Sequence, residues 1–67
     1  MAEQTYYIVR YEYLTYSGEW APGERCVGDR KEADGLVADL HLDNNLRLNP
    51  AWRDIRIFVV TEKEVAP

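Results

Sequence analysis

The chain has 67 residues, 46% of them hydrophobic, with twelve acidic against eight basic side chains and a formal charge of −4. That length fits a single domain, 1–67, near the lower limit for folding without staples. One cysteine and one histidine exclude an intrachain disulfide and a Cys/His structural metal site, and the acidic balance argues against a general nucleic-acid binder, which needs cationic surface to neutralise phosphates.

The N-terminal MAEQTYY shows no basic segment leading into an apolar one, and no apolar run approaches the ~20 residues of a membrane span. Both predict a cytoplasmic protein, in keeping with a reduced Cys26. Thr5 to Tyr16, TYYIVRYEYLTY, is rich in tyrosine and β-branched residues and reads as a strand. Successive strand side chains point to opposite faces. Tyr7, Val9, Tyr11, Tyr13 and Thr15 make an uncharged set expected under a helix. Tyr6, Ile8, Arg10, Glu12, Leu14 and Tyr16 make an open set. Ser17-Gly18 is read as a two-residue hairpin turn, which sets Thr15 opposite Trp20 and brings that indole to the covered face. Pro22-Gly23 interrupts the second strand, predicting an edge strand with a bulge there and leaving open whether Cys26 or Val27 faces inward.

Asp29 is a helix N-cap with Glu32 three residues on. Ala33, Leu36, Val37 and Leu40 form one helical stripe, and Asn44-Asn45 signals a stop near Asp43. Gly35 weakens the helix and suggests close approach to Tyr11 or Tyr13. In LRLNPAWR (46–53), Leu46 and Leu48 suggest a short extended piece. Asn49-Pro50 then starts a single helical turn, with Trp52 plugging the end of the core. Asp54 to Glu62 is the last strand. Its covered set is Ile55, Ile57 and Val59, and its open set Arg56, Phe58, Val60 and Glu62. Glu64 to Pro67 read as a loose end. The sum is an α+β, β-β-α-β domain, one helix on a mainly antiparallel three-stranded sheet with the first strand central.

Its open face is too apolar and aromatic for a solvated one. Tyr6, Ile8, Arg10, Glu12, Tyr16, Arg56, Phe58 and Glu62 are the candidate partner-binding residues, of types enriched at hot spots. A protein partner, or a second copy stacked on the same face, would occupy it. Exposed aromatics beside Arg10 and Arg56 could instead stack unpaired bases, but Glu12 and Glu62 share the face. No catalytic constellation emerges. His41 has no nucleophile at helical spacing, Cys26 reads as a packed thiol, and Asp39 with Asp43 is too small a set for a divalent cation. The expectation is a non-enzyme without cofactor or metal.

The order YYIVRYEY, hairpin, DRKEADGLVADL and DIRIFVV resembles the small accessory proteins of bacteriophages and prophages, anti-CRISPR inhibitors among them, in layout and length. That resemblance implies a stoichiometric inhibitor in the host cytoplasm, covering the basic surface of a CRISPR-Cas-like nucleic-acid-handling complex. Glu12, Glu19, Asp34 and Asp39 would then stand in for phosphates. It is a resemblance without a diagnostic motif and transfers no functional residue.

Overall fold

The computed structural model describes residues 3–63; the terminal segment 64–67, read above as a loose end, lies outside them. Three strands, β1 (Glu3–Leu14), β2 (Trp20–Val27) and β3 (Trp52–Lys63), and one helix, α1 (Arg30–Asn45), follow in the order β-β-α-β. The sheet is antiparallel throughout, in the order β2-β1-β3, so the tyrosine-rich strand is central as its pattern predicts.

The helix starts where its capping chemistry places it. Glu32 N donates to Asp29 Oδ1 at 2.8 Å, and the Glu32 carboxylate reaches back to Gly28 N at 3.1 Å. The first satisfies a donor that the first turn leaves without an intrahelical partner, and the second ties down the residue before the cap. The covered face carries Val9, fully buried, beneath Ala33 and Leu40 of α1. These three are the only hydrophobic side chains among the described residues that are buried. The core is therefore a thin layer, and half-buried rings extend it.

The hairpin differs from the two-residue reading. Thr15 N donates to Glu19 O at 2.8 Å and Gly18 N to Thr15 O at 3.0 Å. The connection is three residues, 16–18, with Gly18 at φ 85°, the left-handed position such a loop needs. One extra loop residue slips the register by one, and a one-residue slip moves every side chain to the other face. Trp20 therefore pairs with Leu14, not Thr15, and stands on the open face. The β1–β2 ladder then runs without a shift from Leu14↔Trp20 to Tyr7↔Val27. Pro22 sits on an edge strand as expected, but no bulge accompanies it. Val27 is the half-buried, inward residue, and Cys26 is exposed opposite Ile8, so the packed-thiol expectation is corrected.

The bulge lies in β3. Arg10 pairs with Arg56 but Glu12 with Arg53, so β3 carries one extra residue, and Asp54 takes φ 52°. Asp tolerates this left-handed geometry better than most side chains. The shift turns Trp52 toward the covered side, opposite Tyr13, and Arg53 toward the open side. Trp52 is therefore the first residue of β3, not part of a helical turn. Its ring meets Tyr11 edge-on at 5.4 Å between centroids and Tyr13 at 6.5 Å.

Asn44 does not end the helix, which runs on to Asn45 with Leu46 as its cap. Its amide instead clamps the returning chain. Oδ1 accepts from Ala51 N (2.9 Å) and Trp52 N (3.1 Å), and Nδ2 donates to Trp52 O (2.8 Å). Beside it, Asp43 Oδ2 accepts from Trp52 Nε1 at 2.6 Å and from Arg47 Nε at 2.7 Å. Those two donors, Arg47 first, hold the Asp43 carboxyl below the usual carboxylate range. The ionised form is the one the fold favours, so the contribution is present above the ordinary carboxylate pKa and fades as pH falls through the lowered value.

Close approach occurs at a different glycine from the one expected. A methyl at Gly35 would meet nothing within 4 Å, whereas one at Gly23 would lie 2.5 Å from Tyr11 Cε2. Gly23 is the β2 residue facing Tyr11, and its missing side chain is the space the ring fills.

Two measurements follow from these contacts. Asn44→Ala leaves three part-buried backbone groups without their partner, and should lower unfolding free energy by about 2–4 kcal/mol in urea titration. Gly35→Ala should stabilise by roughly 0.5–1 kcal/mol, while Gly23→Ala should destabilise by about 1–3 kcal/mol as the Tyr11 ring is forced aside. Equal signs for the two glycine changes would contradict the assigned packing.

Candidate functional site

Pairing across the sheet places Tyr6, Ile8, Arg10, Glu12 and Leu14 of β1 on one face with Arg53, Arg56, Phe58, Val60 and Glu62 of β3. From β2 the same face receives Trp20, Pro22, Glu24 and Cys26. The helix lies on the other side, and Phe58 (40% exposed) and Leu14 (39%) remain accessible. Seven of the eight residues expected here thus converge. Tyr16 does not join them, because the longer turn sets it at the hairpin tip, fully exposed.

The charged side chains of this face lie across its rings. Arg10 donates from Nε to Glu24 Oε2 at 3.2 Å, with its guanidinium carbon 5.1 Å from the Phe58 centroid. Arg53 donates from Nε to Glu12 Oε1 at 2.8 Å and reaches across β1 to sit 4.2 Å from the Trp20 ring centre. Guanidinium planes stacked on aromatics are weakly hydrated and keep their remaining donors available. Arg10, Arg53 and Arg56 are balanced by Glu12, Glu24 and Glu62. The face is formally neutral, so the net −4 of the chain lies elsewhere.

Trp20 and Arg53 were invisible to sequence reasoning as members of this face, since each arrives through a register shift. Gly18 in the turn and the αL-tolerant Asp54 are the signals that point to those shifts. At the hairpin end, mainly on the helix side, lies an open cleft of about 550 Å³ lined by Tyr13, Leu14, Tyr16, Arg47, Ala51 and Trp52 among others. Leu46 and Leu48 stand exposed on the neighbouring connection.

The acidic residues suggested as phosphate stand-ins are not brought together. Glu12 is on the open face bound to Arg53, Glu19 is in the hairpin, and Asp34 is on α1 paired with Arg30 at 2.9 Å. Asp39 is also on α1. His41 and Cys26 lie on opposite sides of the sheet. Among the described residues, no three His, Cys, Asp or Glu side chains are grouped to hold a metal ion, and no helix is long and apolar enough to cross a membrane. Compared with known families, curated proteins and solved structures, the chain matches none.

At the far end of the face the Tyr6 hydroxyl donates to Glu62 Oε1 at 2.9 Å. The carboxylate accepts only while the phenol keeps its proton, so the Tyr6 pKa is raised. The contribution is present below the ordinary phenol pKa and is lost as pH rises through the raised value. In a tyrosine titration followed by NMR, Tyr6 should ionise above the ordinary phenol pKa, and Glu62→Ala should lower its midpoint. A Tyr6 midpoint unmoved by Glu62→Ala would show that the contact is not kept in solution.

Proposed function

We propose that this protein is a non-catalytic, protein-binding module that docks through the open face of its sheet. The observation that carries the reading is a pair of apolar groups on one face, Trp20 with Leu14 at the hairpin end and Ile8 with Phe58 and Val60 farther along, left uncovered by the helix and each overlaid by an arginine. Aromatic, aliphatic and Arg side chains in one patch of matched charge are the composition of a binding hot spot. A neutral face favours a protein over a nucleic acid, because phosphate binding draws on unpaired cations. Within this class we propose a stoichiometric inhibitor of a bacterial nucleic-acid-handling complex. That narrower reading draws on the likeness of layout to phage accessory proteins and on a net acidity located off the open face.

Affinity capture from a bacterial lysate should yield a stoichiometric protein partner. Phe58→Ala and Trp20→Ala should each weaken that complex by about thirtyfold or more, the size of a hot-spot truncation. Tyr16→Ala, at the hairpin tip, tests whether the cleft contributes. A partner held equally by both open-face variants, or a low-salt shift of labelled single-stranded oligonucleotide with no protein captured, would overturn the reading.

A further inference from the structure

The two outer strands of the sheet are not equivalent. β2 is short and carries Pro22, which has no N–H to offer, and Gly23, so its outer edge is blunted. β3 beyond the Asp54 bulge is a regular run, Ile55–Lys63, with neither proline nor glycine. The helix leaves β2 at the Val27 level and ends against Trp52, so it crosses the sheet diagonally. The corner of the covered face at β3 stays bare, and Val59 there is 63% exposed. Phe58, its neighbour on the other face, is exposed as well. An outer strand apolar on both faces and rich in free backbone groups is a template for another strand.

We infer that a second copy of this chain occupies that edge, β3 pairing antiparallel with β3 about a two-fold axis through Val59. The run of Ile55–Lys63 is centred on Val59, so this register pairs the whole run with itself. Arg56 then falls opposite Glu62 of the other copy, twice. Phe58 falls opposite Val60, Ile57 opposite Thr61, and Ile55 opposite the aliphatic stem of Lys63. Directly opposed β-branched, aromatic and opposite-charge pairs are the stabilising unit of a sheet. The charge match answers a local need. Arg56 stands across from Arg10 in the β1–β3 ladder, and Arg10 already has Glu24, while among the described residues Arg56 has no carboxylate in ion-pair contact. Glu62, which accepts from Tyr6, retains lone pairs for a second donor.

An axis normal to the sheet keeps both helices on one side and both open faces on the other. The product is one six-stranded sheet, β2-β1-β3-β3-β1-β2. The surface available is of the right size. The chain exposes 5394 Å², about 1,000 Å² more than a compact monomer of this mass, and a standard interface hides about 800 Å² per partner.

Sedimentation velocity across micromolar to millimolar concentrations should show a monomer–dimer equilibrium. Val59→Lys, which lies on the helix side and leaves the open face intact, should abolish the dimer. R56E and E62R should each weaken dimerisation about tenfold, and the double variant R56E/E62R should restore it. In a Cys26→Ser background, Val59→Cys should oxidise to a covalent dimer because the two thiols meet at the axis, whereas Thr61→Cys, opposite Ile57, should not. A wild-type monomer throughout, a dimer indifferent to Val59→Lys, no rescue by the double variant, or cross-linking at 61 in place of 59 would each overturn the inference. None of these outcomes depends on whether the open face binds a foreign protein.

Discussion

The position of the helix on its sheet is fixed by one directional polar contact, the Asn44 amide closed over the backbone of Ala51 and Trp52. With Val9, Ala33 and Leu40 as the buried hydrophobic set, apolar transfer at ~25 cal/mol per Å² has little area to act on. Non-directional burial of that extent does not select one placement of α1 over neighbouring ones. A primary amide that satisfies two N–H groups and one carbonyl does, because a displacement of an ångström breaks all three bonds. Asp43, one residue earlier, fixes the indole of the same Trp52. Together they set where β3 begins, and everything about the face opposite the helix follows from that starting point.

Where β3 begins would not suffice without the bulge. Were the pairing of Val9 with Ile57 and Arg10 with Arg56 continued without interruption, Tyr13 would meet Arg53 and Trp52 would point away from the helix. A guanidinium would then lie under α1, where desolvation is costly, and the indole would stand in water. The αL turn at Asp54 exchanges the two. It puts the ring beside Tyr11 and Tyr13 and sends the arginine across to Trp20. The hairpin makes a corresponding exchange at the other edge, where its third residue moves Trp20 outward. Two single-residue insertions therefore decide which of the two half-buried tryptophans lies on the helix side and which on the open face.

This explains which parts of the structure were legible in the residues and which were not. Period-2 alternation in β1, the 3-and-4 stripe of α1 and the Asp29–Glu32 cap are local patterns. Each was readable, and with them the strand order and most of the open face. The faces of Trp20 and Trp52 depend on register, which is a sum over loop length and bulges, so an error of one residue inverts the answer. Ser17-Gly18 suits a two-residue turn as well as the last two positions of a three-residue one. Asp54 reads as an ordinary strand opener unless its tolerance of positive φ is weighed. Gly23 beside Pro22 suggested an irregularity, whereas its function is to leave room for Tyr11. The exposed Cys26 follows from the same continuous ladder.

The two twelve-residue strands, β1 and β3, are about 40 Å long, while the sixteen-residue α1 spans only about 24 Å. One helix laid diagonally cannot cover one face of such a sheet, let alone protect its edge. The radius of gyration, 15.0 Å, against about 11 Å for a compact chain of this length, expresses the same mismatch. Strands longer than the layer that covers them contribute backbone pairing without a matching gain in burial. Association that hides the surplus therefore adds directly to folding stability through mass action. In a chain with so small a core, binding and folding draw on the same apolar surface. Residues that the isolated chain leaves partly wet, Val59 at 63% and Phe58 at 40% exposed, are then structural in the proposed assembly.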